Sequence, residues 1–305
     1  MTLRRRLLPA LAAAVLAGSL SACTSSLAGT VADPRVVRIV AAENTWGALA
    51  TEIAGVHGSV TSLISNPNAD PHSYEPTAAD AVAVAEAQVV VVNGLGYDPW
   101  ASQLAAASGV PQEVCEVGSV VGLVAGDNPH RWYDVADLVT VAHALAVLLG
   151  KADPTDSAYF SARATSFTTT GLAPLRAAIA EVRRRDPATP IAASESIVVP
   201  LVQSLGLRLL TPPRFLQSVA EGGDPASADL ALIDQQLRDR RVAVYLLNRQ
   251  NETPAVTSQV QTARAAGIPV VAWTETLEPV HQRLETWLLS EVRALQGALD
   301  RSRTR

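Results

Sequence analysis

Short apolar segments rich in Val, Ile and Leu alternate along this chain with longer segments that have the composition of helices. The clearest apolar segment is Val89–Val92, an unbroken valine run typical of a strand buried on both faces. Such alternation predicts a parallel α/β architecture, because parallel strands need a crossover connection that is usually a helix. The length of 305 residues allows one large domain or two of medium size.

The alternation stops between Pro154 and about Arg185, where no convincing strand is found. Pro154 suits the first turn of a helix, and the arginines at 183–185 suit its C-terminal end. A helix of this length would extend about 48 Å, so we expect it to connect two lobes. Ser166–Gly171 contains poor helix formers and is where a kink is expected. The predicted fold class is α/β, with two lobes of mainly parallel sheet flanked by helices and joined by one long rigid helix; the predicted boundaries are 36–152, 153–186 and 187–305.

The N-terminal residues have the features of an export signal. Arg4–Arg6 form a basic region, Leu7–Leu20 is apolar, and Leu20-Ser21-Ala22-Cys23 closes the segment. This last tetrapeptide resembles a bacterial lipobox, in which the cysteine becomes the lipidated first residue of the mature chain. We therefore expect a signal peptide at 1–22 and a lipidated tether at 23–35, with Cys23 anchoring an exported protein to the outer face of the bacterial cell membrane. An ordinary secretory peptide with a chance cysteine is the alternative.

Charge and cysteine content narrow the function further. Residues 1–22 carry three arginines and no acids, so their removal lowers the formal net charge from −5 to −8. A protein this acidic is not expected to bind nucleic acid, and its charge suits cation handling. Cys115 would be the one cysteine without a lipid, so an intramolecular disulfide is excluded. Its strand-like surroundings indicate a buried thiol rather than a metal ligand.

Two histidines lie in similar Pro-His settings within polar loops that follow strand-like segments. His72 belongs to Asp70-Pro-His-Ser-Tyr-Glu-Pro-Thr77, and His130 belongs to Asn128-Pro-His-Arg-Trp132. The proline before each histidine restricts the backbone, which suits a side chain that must point in one direction. Both imidazoles are therefore candidate metal ligands.

Two carboxylates occupy equivalent places in the second half of the chain. Glu195 follows the apolar segment Ile191–Ala193, and Glu275 follows Ile268–Trp273. Ligands of open parallel sheets bind at the carboxyl ends of the strands, so we expect these carboxylates and the two imidazoles to meet in a cleft between the lobes. Two imidazoles with two carboxylates suit a divalent metal ion. Asn93, directly after the valine run, is a candidate partner for the outer N–H of a metal-bound imidazole.

Several segments together resemble one protein family over essentially the whole mature length. They are the two Pro-His segments, Val92-Asn-Gly-Leu-Gly-Tyr-Asp-Pro-Trp100, Ser194-Glu-Ser196 and Thr274-Glu-Thr276. The chain resembles the substrate-binding lipoproteins of zinc/manganese ABC transporters. The resemblance implies two α/β lobes joined by one helix, with His72, His130, Glu195 and Glu275 as the metal ligands. It also implies a monomeric receptor, not an enzyme, that serves an ABC permease and its ATPase.

The departures from the family pattern concern the choice of metal. Zinc-binding members usually have histidine at the place of Glu195, and many carry a histidine-rich loop before the second ligand. This chain has no histidine at 118–128. Two oxygen ligands favour a harder ion than histidine-rich sites do. We therefore expect Mn²⁺ to be favoured, with Zn²⁺ next and Fe²⁺ behind.

Two other classes of protein remain as alternatives. A secreted metallohydrolase can also use two histidines and two carboxylates, but it needs an open coordination position and a general base. No His-Glu-x-x-His motif is present. The second alternative is an adhesin in which the metal stabilises the fold. Of the remaining histidines, we interpret His57 as a surface turn residue and His143, within a helix, as a packed or satisfied histidine rather than a ligand.

Overall fold

The computed structural model describes residues 36–66, 69 and 74–304. The predicted signal peptide, the tether and Cys23 therefore lie outside the described residues. The first half of the described chain forms a parallel sheet with the strand order β2-β1-β3-β4. Its strands are β1 (Val37–Glu43), β2 (Gly58–Ile64), β3 (Val89–Val92) and β4 (Glu113–Glu116).

Helices connect these strands and cover both faces of the sheet. They are α1 (Asn44–Ala54), α2 (Ala78–Glu86), α3 (Pro99–Ala107), α4 (Val117–Val120) and α5 (Val135–Ala152). Each residue of β3 is at most 1% exposed, as the valine run predicts. Thr77 and Asp80 form a capping box at the start of α2. Asp134 caps α5 by accepting hydrogen bonds from the backbone N–H groups of Ala136 and Asp137.

Helix α5 is the one described helix whose length and composition would allow it to cross a membrane, with a mean hydropathy of 1.6 over its 18 residues. Its apolar face is nevertheless buried against the sheet and the neighbouring helices. The fully buried residues of that face are Leu138, Val141, Ala142, Leu145 and Leu149. This burial accounts for the apolar composition, since a core helix needs an apolar face.

A helical segment connects the two halves in the region where the alternation stops. It consists of α6 (Ser157–Ser166), a π-helical turn (Phe167–Gly171) and α7 (Ala173–Arg185). The N–H of Leu172 donates to the carbonyl of Phe167 over 2.9 Å, five residues back, as a π turn requires. The π turn covers the threonine-rich stretch for which the sequence predicts a kink.

The second half repeats the arrangement of the first. Its sheet is parallel with the order β6-β5-β7-β8. The strands are β5 (Pro190–Ala193), β6 (Arg208–Leu209), β7 (Tyr245–Asn248) and β8 (Val270–Trp273); the helices are α8 (Val199–Leu205), α9 (Pro213–Ala220), α10 (Ser227–Arg238), α11 (Pro254–Ala265) and α12 (Leu284–Arg303). The predicted fold class, two parallel sheets flanked by helices with a helical connection, is confirmed. The numbered lobe boundaries stay a prediction.

Buried contacts join the two halves around Tyr133. Its ring stacks on Trp273 with centroids 5.4 Å apart. Its hydroxyl oxygen lies 2.7 Å from both the carbonyl oxygen of Thr274 and Oε2 of Glu291. Burial raises the pKa of Glu291 to about 8, against the lowering effect of its hydrogen bonds. A protonated Glu291 suits this contact, because the one hydroxyl proton cannot serve both neighbouring oxygens.

Candidate metal centre

The two predicted carboxylates meet at one edge of the second sheet. Glu195 follows β5 and Glu275 follows β8, with one residue between each strand and its carboxylate. Both strands flank β7, and parallel strands bring their carboxyl ends to the same edge. The two side chains belong to buried residues, with Glu195 1% and Glu275 4% exposed.

His130 approaches these carboxylates from the first half. It lies between α4 and α5, directly before the short 3₁₀ turn Arg131–Tyr133, and is 0% exposed. Its Nε2 is 3.8 Å from Oε2 of Glu275. One potential ligand atom from each of His130, Glu195 and Glu275 lies within 4.8 Å of the other two. Three of the four predicted ligands are therefore brought together, while His72 lies outside the described residues.

The side chain of Asn128 orients the His130 imidazole. Its Oδ1 accepts from the backbone N–H of His130 over 3.0 Å and lies 3.0 Å from Nδ1 of the same residue. Its Nδ2 donates to the carbonyl of Ser196 over 2.8 Å, which fixes which end of the amide faces the ring. Because Oδ1 is an acceptor, Nδ1 carries the imidazole proton, and Nε2 is the nitrogen able to bind a metal.

Asn93, the predicted partner of a metal-bound imidazole, contacts the residue before His130 instead of the imidazole. Its Nδ2 donates to the carbonyl of Pro129 over 3.1 Å, and its Oδ1 accepts from the indole N–H of Trp46 over 2.9 Å. It therefore holds the backbone directly before His130 rather than the ring itself. Asn128 was not predicted as a site residue. Asn side chains often accept a hydrogen bond from the backbone N–H two residues further along, and this pattern could have identified Asn128 as a partner of His130.

Two further residues, neither of them predicted from the sequence, hold the carboxylates. Nδ2 of Asn248 donates to Oε2 of Glu195 over 2.6 Å and to Oε1 of Glu275 over 2.7 Å. The hydroxyl of Tyr97, from the first half, donates to Oε2 of Glu275 over 2.8 Å. Asn248 could have been predicted from its position, because it ends β7, the strand between the two strands that precede Glu195 and Glu275.

Several buried acidic groups lie around the centre. The pKa of the Tyr97 hydroxyl lies well above its ordinary value because of burial, then because of the negative charges of Glu275, Glu43 and Glu195. The pKa of Glu43, at the end of β1, is raised by burial and by the neighbouring Asp98. Burial raises the pKa of Asp98 to about 6, although backbone N–H groups of Asn93 and Gly94 donate to it. Burial therefore favours the protonated forms of Glu43 and Asp98 in the absence of a cation.

An opening between the halves lies beside His130. A cavity of about 420 Å³ has His130, Asn128 and Leu95 on one side and Ser196 and Leu216 on the other. Its walls come from loops that follow strands of both sheets and from α9.

The other histidines and Cys115 do not join the cluster. Nδ1 of His57 lies 2.6 Å from Asp156 at the surface, in agreement with the predicted turn position. His143 is exposed on α5, so the interpretation of a packed histidine is wrong: it lies on the face of the helix turned away from the core. Cys115 is 0% exposed, as predicted, and burial raises the pKa of its thiol to about 12.

The fold is that of the solute-binding proteins. The structure superimposes on the solute-binding protein FpvC from Pseudomonas aeruginosa, solved in complex with Mn²⁺, with a TM-score of 0.70, 23% identity, and coverage of 88% of this chain and 99% of FpvC. It superimposes on the Mn-bound periplasmic metal binding protein from Candidatus Liberibacter asiaticus with a TM-score of 0.71, 17% identity, and coverage of 86% and 99%.

The family follows from the sequence match. The family model of the periplasmic zinc-uptake complex component A, ZnuA, matches residues 39–298, and the chain belongs to this family. The manganese-binding lipoprotein MntA of Halalkalibacterium halodurans is 29% identical over 158 residues, which cover 50% of this chain and 52% of the relative. The chain thus spans about half the length of this curated relative. The predicted family resemblance is confirmed.

Proposed function

We propose that this protein is an extracytoplasmic metal-binding receptor of an ABC importer. It captures one divalent cation between the two halves and delivers it, as a monomer, to the permease and its ATPase. The proposed ligands are His72, His130, Glu195 and Glu275, and a lipid on Cys23 holds the protein at the outer face of the bacterial cell membrane. The observation that carries the proposal is the convergence of His130, Glu195 and Glu275 within 4.8 Å from separate segments of the chain.

The proposed ligand set suits a dication in a buried place. Two carboxylates supply two negative charges, and two neutral imidazoles supply none, so a bound M²⁺ leaves the centre near zero net charge. This neutrality limits the free-energy cost of removing the ion from water. The protein's own task is to orient the donors: Asn128 sets the His130 tautomer, while Asn248 and Tyr97 hold the carboxylates.

Among the candidate transported ions, we favour Mn²⁺, followed by Zn²⁺ and then Fe²⁺. Two oxygen donors favour a harder ion than a histidine-rich site does. The relative from Halalkalibacterium halodurans is named a manganese-binding lipoprotein. Zinc stays next, because the family model is named for zinc uptake and the general affinity order places zinc above manganese.

The burial of the cluster favours a receptor over a metallohydrolase. A hydrolytic centre must keep a coordination position open to water and substrate. His130, Glu195 and Glu275 are each at most 4% exposed. A site this enclosed suits an ion that is held and later released.

Release requires separation of the two halves. Hydrogen bonds between them surround the centre: Tyr97 donates to Glu275, and Asn128 donates to the carbonyl of Ser196. Asn44 exchanges two hydrogen bonds with the backbone of Leu277, at 3.1 and 2.9 Å. Docking on the permease would have to break these contacts and move His130 away from Glu275.

The test is a metal titration of the protein without its lipid anchor, after chelator treatment. The wild type should bind one equivalent of Mn²⁺ or Zn²⁺ per chain in calorimetric titrations. Glu275→Gln should weaken binding at least about a hundredfold, the effect of a lost coordinating charge. Glu285→Gln is the matched control, since it changes a buried glutamate that instead pairs with Arg283, and its affinity should stay within about twofold. A wild type that binds neither ion would overturn the proposal.

A further inference from the structure

Residues 274–277 directly follow β8 and include Glu275, one of the candidate metal ligands. In the second half, Gln250 holds this segment. Its Oε1 accepts from the backbone N–H of Glu275 over 2.5 Å and from that of Thr276 over 3.1 Å. Gln250 lies in the loop after β7. These bonds therefore join residues of the same half and do not depend on contact between the halves.

Side chains of the first half hold the same segment at both of its ends. The hydroxyl oxygen of Tyr133 lies 2.7 Å from the carbonyl oxygen of Thr274. At the other end, Asn44, the first residue of α1, bonds to both backbone groups of Leu277. Its Oδ1 accepts from the N–H over 2.9 Å, and its Nδ2 donates to the carbonyl over 3.1 Å. Because these bonds join the two halves, separation of the halves would break them.

The two bonds between Asn44 and Leu277 are buried and have one consistent orientation. A flipped amide would place its NH₂ against the N–H of Leu277 and its oxygen against the carbonyl. Asn44 is 3% exposed and Leu277 is 0% exposed. Without Asn44, a buried donor and a buried acceptor would lose their partner in the closed arrangement, whereas water can replace it once the halves separate. The two bonds therefore stabilise the closed arrangement in particular.

We propose that Asn44 is a positioning residue that couples closure of the two halves to retention of the bound cation. This inference rests on the proposed function. Leu277 is two residues from Glu275, and His130 reaches the cluster from the same half as Asn44. By fixing the backbone of Leu277 from that half, Asn44 fixes Glu275 relative to the imidazole. Closure and the cation then stabilise each other, since such coupling is reciprocal.

The loss of Asn44 should change dissociation of the ion rather than its association. An ion that enters the open arrangement meets the carboxylates before the bonds to Leu277 have formed, so these bonds do not affect its entry. After closure, the missing bonds raise the fraction of open molecules, from which the ion leaves. Groups that support metal ligands from outside typically change metal affinity about 10- to 100-fold when they are removed.

The test is Asn44→Ala, with Asn44→Ser as the second variant if the alanine variant does not fold. Serine keeps a polar group at the start of α1 but is too short to bond both backbone groups of Leu277. Mn²⁺ association and dissociation are followed by stopped-flow spectroscopy with a chelating indicator, on protein without its lipid anchor. In either variant the dissociation rate constant should rise about tenfold or more, while the association rate constant should stay within about twofold of the wild type.

Glu52→Gln is the matched control. Glu52 also joins the halves, because its Oε1 lies 3.1 Å from Nη2 of Arg283, but this partly exposed ion pair ends on Arg283 rather than on residues 274–277. Exposed ion pairs contribute little, so Mn²⁺ dissociation from this variant should stay within about twofold of the wild type. Equal acceleration by Glu52→Gln and Asn44→Ala would assign the effect to closure in general and overturn the role of Asn44.

Two further results would overturn the role of Asn44. Unchanged Mn²⁺ dissociation in the folded Asn44 variants, even with a lower free energy of unfolding, is what a purely structural role produces; with metal bound by the wild type, it overturns this role alone. A wild type that binds neither Mn²⁺ nor Zn²⁺ would overturn this role together with the proposed function.

Discussion

The hydrogen bond from Tyr97 to Glu275 joins the two halves at the candidate metal centre, and Tyr97→Phe removes it. The bond is 2.8 Å long, and both residues are buried, at 0% and 4% exposure. Phenylalanine keeps the aromatic ring that packs at 5.7 Å from His130 and 5.5 Å from Trp132. The substitution therefore tests the hydroxyl group rather than the packing.

The size of the effect follows from the charge of the acceptor. A hydrogen bond to a charged group contributes about 1.5–3 kcal/mol to stability. Without metal, Tyr97→Phe should lower the free energy of unfolding by about this amount, because a buried carboxylate loses a donor. A bound cation neutralises the same carboxylate, so saturating Mn²⁺ should recover part of the loss. The assay is denaturant unfolding at pH 7, once with chelator and once with Mn²⁺.

Tyr245→Phe provides the control for this prediction. The hydroxyl of Tyr245 donates to Oε1 of Gln259 over 2.7 Å, so a bond of similar length ends on a neutral, buried acceptor. Its loss should cost about 0.5–1.5 kcal/mol with or without metal. If Tyr97→Phe shows the same loss as Tyr245→Phe under both conditions, the reasoning about a charged, metal-linked Glu275 is wrong.

Three further predictions concern pH, metal choice and anchoring. The pKa of Glu291 is about 8 in the folded chain, above the ordinary value of about 4.3 for a glutamate. Between these two pH values the folded state binds one more proton than the unfolded state, so the free energy of unfolding falls as the pH rises from about 4.3 to about 8. In Glu291→Gln, the loss of unfolding free energy between pH 5 and 8 should be smaller than in the wild type, by at most about 4 kcal/mol, as measured by thermal or denaturant unfolding. Equal pH dependence of the wild type and the variant would contradict this prediction. Glu195→His should move the affinity ratio toward zinc by about tenfold or more, because imidazole is a softer donor and removes one negative charge; a native preference for zinc that the substitution leaves unchanged would refute the selecting role of Glu195. Cys23→Ser should release the protein from membranes in cell fractionation, whereas full retention would remove the lipid anchor from the proposal.

The candidate metal centre was partly predictable from the sequence. His130, Glu195 and Glu275 were identified because each is a metal-binding side chain after a strand-like segment, and strand ends of parallel sheets converge. Asn128, Asn248 and Tyr97 were missed because amides and phenols occur everywhere in loops. Their importance depends on which carboxylate or imidazole lies within 3 Å, as the Asn248 bonds at 2.6 and 2.7 Å illustrate.

The sequence by itself determined the elements of the fold. The valine run of β3 is buried on both faces, and the threonine-rich stretch of the connecting helix forms the π turn, because local composition sets both outcomes. Only the tertiary structure decided the shared strand order of the two sheets, since that order depends on pairings between segments far apart in the chain. The same holds for the centre itself: Tyr97 and Glu275 are 178 positions apart, and packing of the two halves brings them into hydrogen-bonding distance.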